Sequence, residues 1–219
     1  MGYFKELPEL LYPSLLPKST RSDEKIRVKN LFRRAKLRGD VGGLTLTTLY
    51  QIEEGERPEM LAEKLYEDPE LDWVILITNN ITSIRNQWPL TNNELQNHML
   101  EKYGSQAALQ LPHHYETKEI KDTFGRVVLN KGLVVDADFS FTYSSNTGTE
   151  ITDMNASGPV SNFTYETNEN NKKRLINVLK KEYLSVMTAD LKEIMRYEPS
   201  SQFITDRLKD TYNPRITGV

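Results

Sequence analysis

The sequence predicts an α+β fold built around one short strand–helix–helix unit, and three observations predict it. Two helix starts stand in tandem, at Pro58-Glu59 and again at Asp68-Pro69-Glu70. The hydrophobic period changes to two over residues 109–143, with hairpin punctuation at 122–125 and 130–132. Beyond that stretch, an Ile/Leu-rich segment before Pro199 reads as a strand and a helix. The full expectation is this small unit with an N-terminal arm and helix, a β-rich insert and a C-terminal strand–helix.

The chain divides into 1–43, an apolar arm and basic helix; 44–90, the central unit; 91–108, a connecting helix; 109–165, the β-rich insert with a mobile loop; 166–198, the C-terminal strand and helix; and 199–219, a tail. In the first twenty residues Tyr3, Phe4, Leu7, Leu10, Leu11, Tyr12, Leu15 and Leu16 lie among Pro8, Pro13 and Pro17, which forbids a long helix. This apolar arm either lies on its own core or inserts into a partner, and Tyr3, Phe4, Leu7 and Tyr12 are the candidate partner contacts. Ser22 or Thr20 is expected to cap a helix running through Lys36, with Val28, Leu31, Phe32 and Ala35 on one face and a basic opposite face. Gly39, Gly42 and Gly43 form a hinge, not a phosphate loop, because no Lys-Ser/Thr follows at Walker spacing.

In the central unit, residues 50–52 read as a strand. Pro58 suits the first turn of a helix, where its missing N–H has no partner to lose, and Glu59 suits the positive end of the dipole. Leu61, Ala62, Leu65 and Tyr66 share a face at helical spacing. Asp68 is a plausible N-cap for the second helix, which carries Trp73, Val74, Ile75, Leu76 and Ile77; the apolar run alone would also suit a buried strand, and the tandem start decides for helix. Asn79 and Asn80 tolerate left-handed backbone and close it. Residues 91–103 form a polar helix stopped by Gly104. Strands follow at 115–121, 126–129, 133–136 and 139–143, and residues 144–162, rich in Ser, Thr, Asn and Gly, read as a long mobile loop. The segment 171–197 is either one helix or a strand at 174–179 followed by a helix from about 182 to 197; the second reading is preferred. Residues 199–219 read as an extended tail carrying Pro214.

Composition sets limits on function. The chain of 219 residues is 37% hydrophobic and 27% charged, with a formal charge of −3 and no cysteine. Disulfide and thiolate chemistry are therefore excluded, and no segment approaches membrane-spanning length. No secretory leader is visible, so the three Asn-x-Ser/Thr matches at Asn80, Asn155 and Asn162 carry no weight. The cations of residues 25–38 lack aromatic interleaving, and a solvated or acidic-partner face is preferred to nucleic acid. His113, His114, Glu116 and Glu119 offer metal-ligand types, but adjacent residues on a strand point to opposite faces unless the strand is kinked, so no metal is expected. Glu53, Glu54 and Glu56 read as a polar turn rather than a hydrolytic carboxylate pair. Asp136, Asp138 and Asp153 lack calcium-loop spacing, and Trp73 and Trp88 read as core rather than sugar platforms. No catalytic residue and no cofactor is expected.

A strand, a polar turn with Gly55, two short helices and Asn-Asn resemble the LysM module; Tyr50, Leu61, Ala62, Leu65, Tyr66, Trp73, Leu76, Asn79 and Asn80 are its core positions. The usual tight return to a second strand is replaced here by residues 84–89 and a further helix. The order of parts over residues 1 to about 197 resembles the LysM-bearing baseplate wedge subunit of T-even-like contractile-tailed bacteriophages. That resemblance implies a non-enzymatic structural connector in the virion tail baseplate, made in the host cytoplasm. It also implies contacts to other baseplate wedge and hub-proximal tail proteins in multiple copies per ring, with no nucleic acid, no membrane and no cofactor. The alternative is a LysM-type module binding N-acetylglucosamine glycan of peptidoglycan, and a third is an accessory domain of a cell-wall hydrolase. On the connector reading, removing residues 2–16 should leave the central fold intact while blocking incorporation into particles.

Overall fold

The computed structural model describes residues 2–14, 25–36, 46–145 and 147–211. In chain order these form α1 (Tyr3–Glu6), β1 (Glu9–Pro13), β2 (Lys25–Lys29), β3 (Thr47–Gln51), α2 (Pro58–Tyr66), a 3-10 turn (Pro69–Leu71), α3 (Asp72–Thr78), α4 (Ile84–Gln87), α5 (Asn92–Tyr103) and α6 (Gln106–Leu109). There follow β4 (Pro112–Thr117), β5 (Ile120–Lys121), β6 (Val127–Leu129), β7 (Val134–Val135), β8 (Phe141–Ser144), β9 (Glu150–Asp153), β10 (Ser157–Ser161) and α7 (Asn162–Lys172). The described residues end with β11 (Leu175–Leu179), a 3-10 turn (Lys181–Tyr183), α8 (Leu184–Ile194), β12 (Phe203–Thr205) and β13 (Leu208–Asp210). The fold is α+β, in two units: Met1–Trp88 together with Leu175–Val219, and the intervening Pro89–Arg174.

The first unit is organised by β3, α2, α3 and β11. Pro58 opens α2, and the helix ends at Glu67, whose left-handed backbone lets its N–H reach the Glu63 carbonyl at 3.0 Å. Asp68 accepts the Glu70 N–H at 2.9 Å and starts the next turn. At the end of α3 only Asn80 is left-handed; Ile81 N–H returns to Leu76 O at 2.8 Å and Asn80 N–H to Ile77 O at 3.1 Å, the two bonds of a Schellman closure. β3 pairs antiparallel with β11, Tyr50 opposite Ile176, so the partner strand arrives only after the second unit has been traversed. Leu61, Ala62, Val74 and Ile75 are fully enclosed, and with Ile52, Tyr66, Trp73, Trp88, Ile176, Val178, Leu191 and Met195 they form one continuous core.

The same unit carries a four-stranded sheet in the order β12-β13-β1-β2. Here the structure corrects the expected basic helix and the expected extended tail. Residues 25–29 alternate cations at 25, 27 and 29 with half-buried Ile26 and Val28, a period of two that suits a strand edge, and β2 pairs antiparallel with β1 from Glu9↔Lys29 to Pro13↔Lys25. Of the proposed tail, β12 and β13 form a hairpin, and β13 lies parallel to β1 with Glu9 opposite Leu208. Arg207 holds the buried Glu6 carboxylate at 2.9 Å and Lys25 meets Asp210 at 2.5 Å, so charge as well as ladder bonds ties the first residues to the last described ones. Leu15, Leu16 and Pro17 of the arm, the proposed caps Thr20 and Ser22, the hinge at Gly39, Gly42 and Gly43, and Pro214 lie outside the described residues.

The second unit combines α5, α6 and α7 with short sheets. Thr91 and Glu94 form a reciprocal capping box at the start of α5, and Gly104 at φ +81° ends it. Leu95, Met99 and Leu109 make its small core. β4 is flanked by β10 and β7, while β8 and β9 form a separate hairpin. The expected loop at 144–162 is therefore mostly strand: β9 pairs with β8 from Phe141↔Asp153 to Ser144↔Glu150, and β10 pairs with β4. Cross-strand partners give Thr, Ser and Gly residues an ordered role that local composition does not reveal. The polar helix α7 follows directly, capped by the Ser161 side chain on Thr164 N–H.

Candidate functional site

The residues singled out in the central unit come together, and most are spent on its own cohesion. Leu61, Ala62, Tyr66 and Trp73 are core, Leu65 and Leu76 pack against that core, and Tyr50 anchors a polar knot on β3. Its hydroxyl donates to Glu56 at 2.9 Å and accepts from Lys64 at 2.8 Å, while Lys64 also reaches Glu53 at 3.1 Å. Burial raises the Tyr50 pKa above the ordinary tyrosine value; hydrogen bonds to Tyr50 and Glu53 push the Lys64 amine up. Glu56 further accepts the Glu53 N–H at 3.1 Å, and its own carbonyl accepts the Trp88 indole N–H at 2.8 Å. The acidic turn is thus a brace that stops the strand and seats Trp88, and its carboxylates are already engaged.

The asparagine pair has a comparable duty. The Asn79 amide donates to Asn177 O at 2.7 Å and to Ile75 O at 2.9 Å, and its oxygen accepts the Asn177 N–H at 2.8 Å. One side chain thereby imitates a neighbouring strand along the outer edge of β11. Asn80 accepts a hydrogen bond from Arg34. Tyr66 donates to Leu179 O at 2.9 Å, and burial pushes its hydroxyl up to about 12. Trp73 is 4% and Trp88 6% exposed, so neither offers a ring face for stacking on a sugar.

The N-terminal segment splits between two duties. Leu7 is buried in the core of its own unit and Tyr3 packs on Trp73 with ring centroids 6.1 Å apart. Those two residues thus lie on their own core, one of the two placements that the sequence leaves open for the arm, and removing residues 2–16 would take Leu7 out of that core. Phe4 and Tyr12, by contrast, remain exposed.

In the second unit the two histidines do not diverge as a regular strand requires. The register of β10 against β4 shifts so that Val160 faces His114 and Ser161 faces Pro112, leaving His113 at the irregularity. The two Nδ1 atoms then lie 2.9 Å apart, His113 stacks on Tyr165 at 3.8 Å, and His114 Nε2 lies 2.9 Å from Glu116. Among the described residues no group of three or more His, Asp or Glu side chains is disposed to hold a metal. Sequence reasoning passed over the ion pair of the same unit: Lys102 and Tyr103 on α5 both reach Glu166 on α7, at 2.5 and 2.8 Å. Burial opposes ionisation of Glu166, but these two bonds prevail and hold its carboxyl below the usual range, while the bond to Glu166 raises Lys102. Asp136, Asp138 and Asp153 serve turns and strand ends instead of a shared site.

What the molecule offers, then, is internal bracing beside exposed large apolar side chains, Phe4, Tyr12, Leu31 and Phe32 among them. A model of the family described as base plate wedge protein 53 matches residues 17–194, well over half of the chain. The chain belongs to that family. Membership makes it a structural protein of the phage tail base plate and places it in the virion. No curated protein matches the chain. Among the described residues, no helix is long and apolar enough to cross a membrane.

Proposed function

We propose that the protein is a connector within the base plate wedge, joining wedge subunits and tying neighbouring wedges together as the base plate assembles. The observation that carries this reading is the family match over residues 17–194, to which the exposed Phe4, Tyr12, Leu31 and Phe32 add a physical reason. Large apolar side chains left in water gain most by being covered, and a ring of repeated weak contacts multiplies each of them through effective concentration.

In this reading β3, α2, α3 and β11 act as a LysM-like rigid body whose second strand has been displaced by an insertion. The antiparallel pairing of β3 with β11 supports it. The role of the unit is packing, without enzymatic activity. Glycan recognition gains nothing from the geometry, since Asn79 is bonded to the neighbouring strand and both tryptophans are interior.

The test is a phage in which this gene is interrupted, complemented from a plasmid, with purified tails analysed by mass spectrometry and electron microscopy. The chain should be present in complete base plates, and without it wedges should accumulate unjoined. Complete base plates in its absence, or saturable retention of the purified chain on peptidoglycan with none in tails, would overturn the reading.

A further inference from the structure

Most exposed apolar side chains need no explanation, but one pair on the first unit is held out by dedicated bonds. Leu31 is 68% and Phe32 96% exposed, at the tip of a turn that follows β2. The turn is built. Asn30 N–H donates to Pro8 O at 2.8 Å, the Asn30 amide donates to the Tyr197 hydroxyl at 2.8 Å, and its oxygen accepts the Phe32 N–H at 3.2 Å. Arg33 N–H returns to Asn30 O at 3.2 Å and closes it. The Arg33 guanidinium then grips the end of α8, donating to Ile194 O at 2.7 Å and Arg196 O at 3.1 Å. A turn held by six hydrogen bonds presents two large side chains on a backbone with little conformational freedom left to lose on docking.

Beside this tip opens a groove of about 380 Å³, lined by Phe4, Leu31, Trp73 and Leu76 together with Arg33 and Arg34. Within the segment that carries the tip, the charge has one sign. Residues 25–36 contain Lys25, Arg27, Lys29, Arg33, Arg34 and Lys36 and no Asp or Glu. Lys25 and Lys29 are matched by Asp210 and Glu9, whereas Arg33 and Arg34 bond to neutral oxygens and meet no carboxylate among the described residues.

We infer that Leu31 and Phe32, with Phe4 beside them, form an anchor that inserts into an apolar socket rimmed by carboxylates on another protein of the base plate. The inference rests on the connector reading and names the surface that does the connecting. The apolar tip supplies the burial, and Arg33 and Arg34 supply the complementary charge that excludes sockets of the wrong sign. Nucleic acid fits less well: a protruding Leu-Phe tip spends its exposure on nothing when the partner is phosphate.

The experiment places a photoreactive phenylalanine analogue at position 32 of the full chain, incorporates it into particles in infected cells, and identifies the cross-linked peptide by mass spectrometry. Phe32→Asp and Arg34→Glu variants are measured in parallel for content in purified tails. The expected result is one cross-link, to an apolar segment with Asp or Glu beside it on a different base plate protein. Phe32→Asp should fall at least about tenfold in tails while its purified form unfolds at the wild-type midpoint, because the residue buries nothing in its own unit. Arg34→Glu should fall as well and be restored by Lys in place of the cross-linked partner's carboxylate. Wild-type content of Phe32→Asp in tails would overturn the anchor and leave the connector standing; absence of the unmodified chain from tails would overturn both. A cross-link only to a second copy of this chain or to nucleic acid would also overturn the anchor.

Discussion

Leu7→Ala and Phe4→Ala, three residues apart on the same short segment, should behave in opposite ways. Leu7 is 2% exposed in the core that includes Trp73 and Ile75, and Phe4 is 68% exposed. Truncating a buried leucine removes three carbons, about 2.4 kcal/mol at ~0.8 kcal/mol per buried CH₂, and the residual cavity adds to it, for about 3 kcal/mol. Phe4→Ala removes a ring that is mostly in water and should change stability by less than about 0.5 kcal/mol. Urea unfolding followed by tryptophan fluorescence isolates the effect, because both tryptophans of the chain are buried and both belong to the first unit. Leu7→Ala should lower the midpoint at an unchanged slope; Phe4→Ala should leave the midpoint and reduce incorporation into tails. A Leu7→Ala midpoint equal to wild type would refute the assignment of this segment to its own core and return it to the status of a free arm.

Further expectations follow from the bonds inside each unit. Asn79→Ala removes the amide that covers the outer edge of β11 and should destabilise the first unit by about 1 kcal/mol; loss of hydrogen-exchange protection at the Asn177 amide is the direct readout, and retained protection would count against it. The hydroxyl of Tyr66 is pushed up to about 12 by burial, above its ordinary value of 10.0, so its contribution is whole below pH 10 and lost as pH rises toward 12. Tyr66→Phe should remove that part of the alkaline loss and cost about 1 kcal/mol at neutral pH, read by unfolding at both pH values. The Glu166 carboxyl is held below its ordinary value of 4.5, so its contribution is whole above that pH and lost as pH falls through the lowered value. Glu166→Gln should therefore flatten the acid limb of hydrogen-exchange protection in α5 and α7, and an unaltered limb would deny the pair that role.

Local chemistry was readable wherever it acted within a few residues. Pro58, Asp68 and Thr91 start helices by satisfying or sparing donors next to them, and Gly104 and Asn80 end helices through backbone that few other residues adopt, so the sequence carries the signal in place. Residues 25–29 carried a readable signal too, in the alternation of Lys25, Arg27 and Lys29 with Ile26 and Val28, but a helical face drawn through Val28, Leu31, Phe32 and Ala35 competed with it. Pairing was another matter. Nothing near Glu9 specifies Leu208, and nothing near Tyr50 specifies Ile176, because parallel and long-range ladders are selected by the burial of whole faces. The candidate surface was only half visible for the same reason. Phe32 looked like a core residue by spacing, and its exposure depends on Asn30, Tyr197 and the end of α8, which meet only in three dimensions. Likewise the histidine pair converges through a register shift set by β10, which sequence spacing along β4 does not encode.

The insertion of Pro89–Arg174 between α3 and β11 has a consequence on the ribosome. A chain emerges at about 5–20 residues per second, so β3 and its two helices wait for roughly 5–20 s before the strand that pairs with them exists. Meanwhile every element of the second unit has emerged in one uninterrupted stretch. The order of synthesis therefore lets the inserted unit close first, while the apolar faces of α2 and α3 stand uncovered longest. A nascent chain arrested before residue 175 would be the form in which this protein is most exposed to chaperones and to premature contact with its own neighbours.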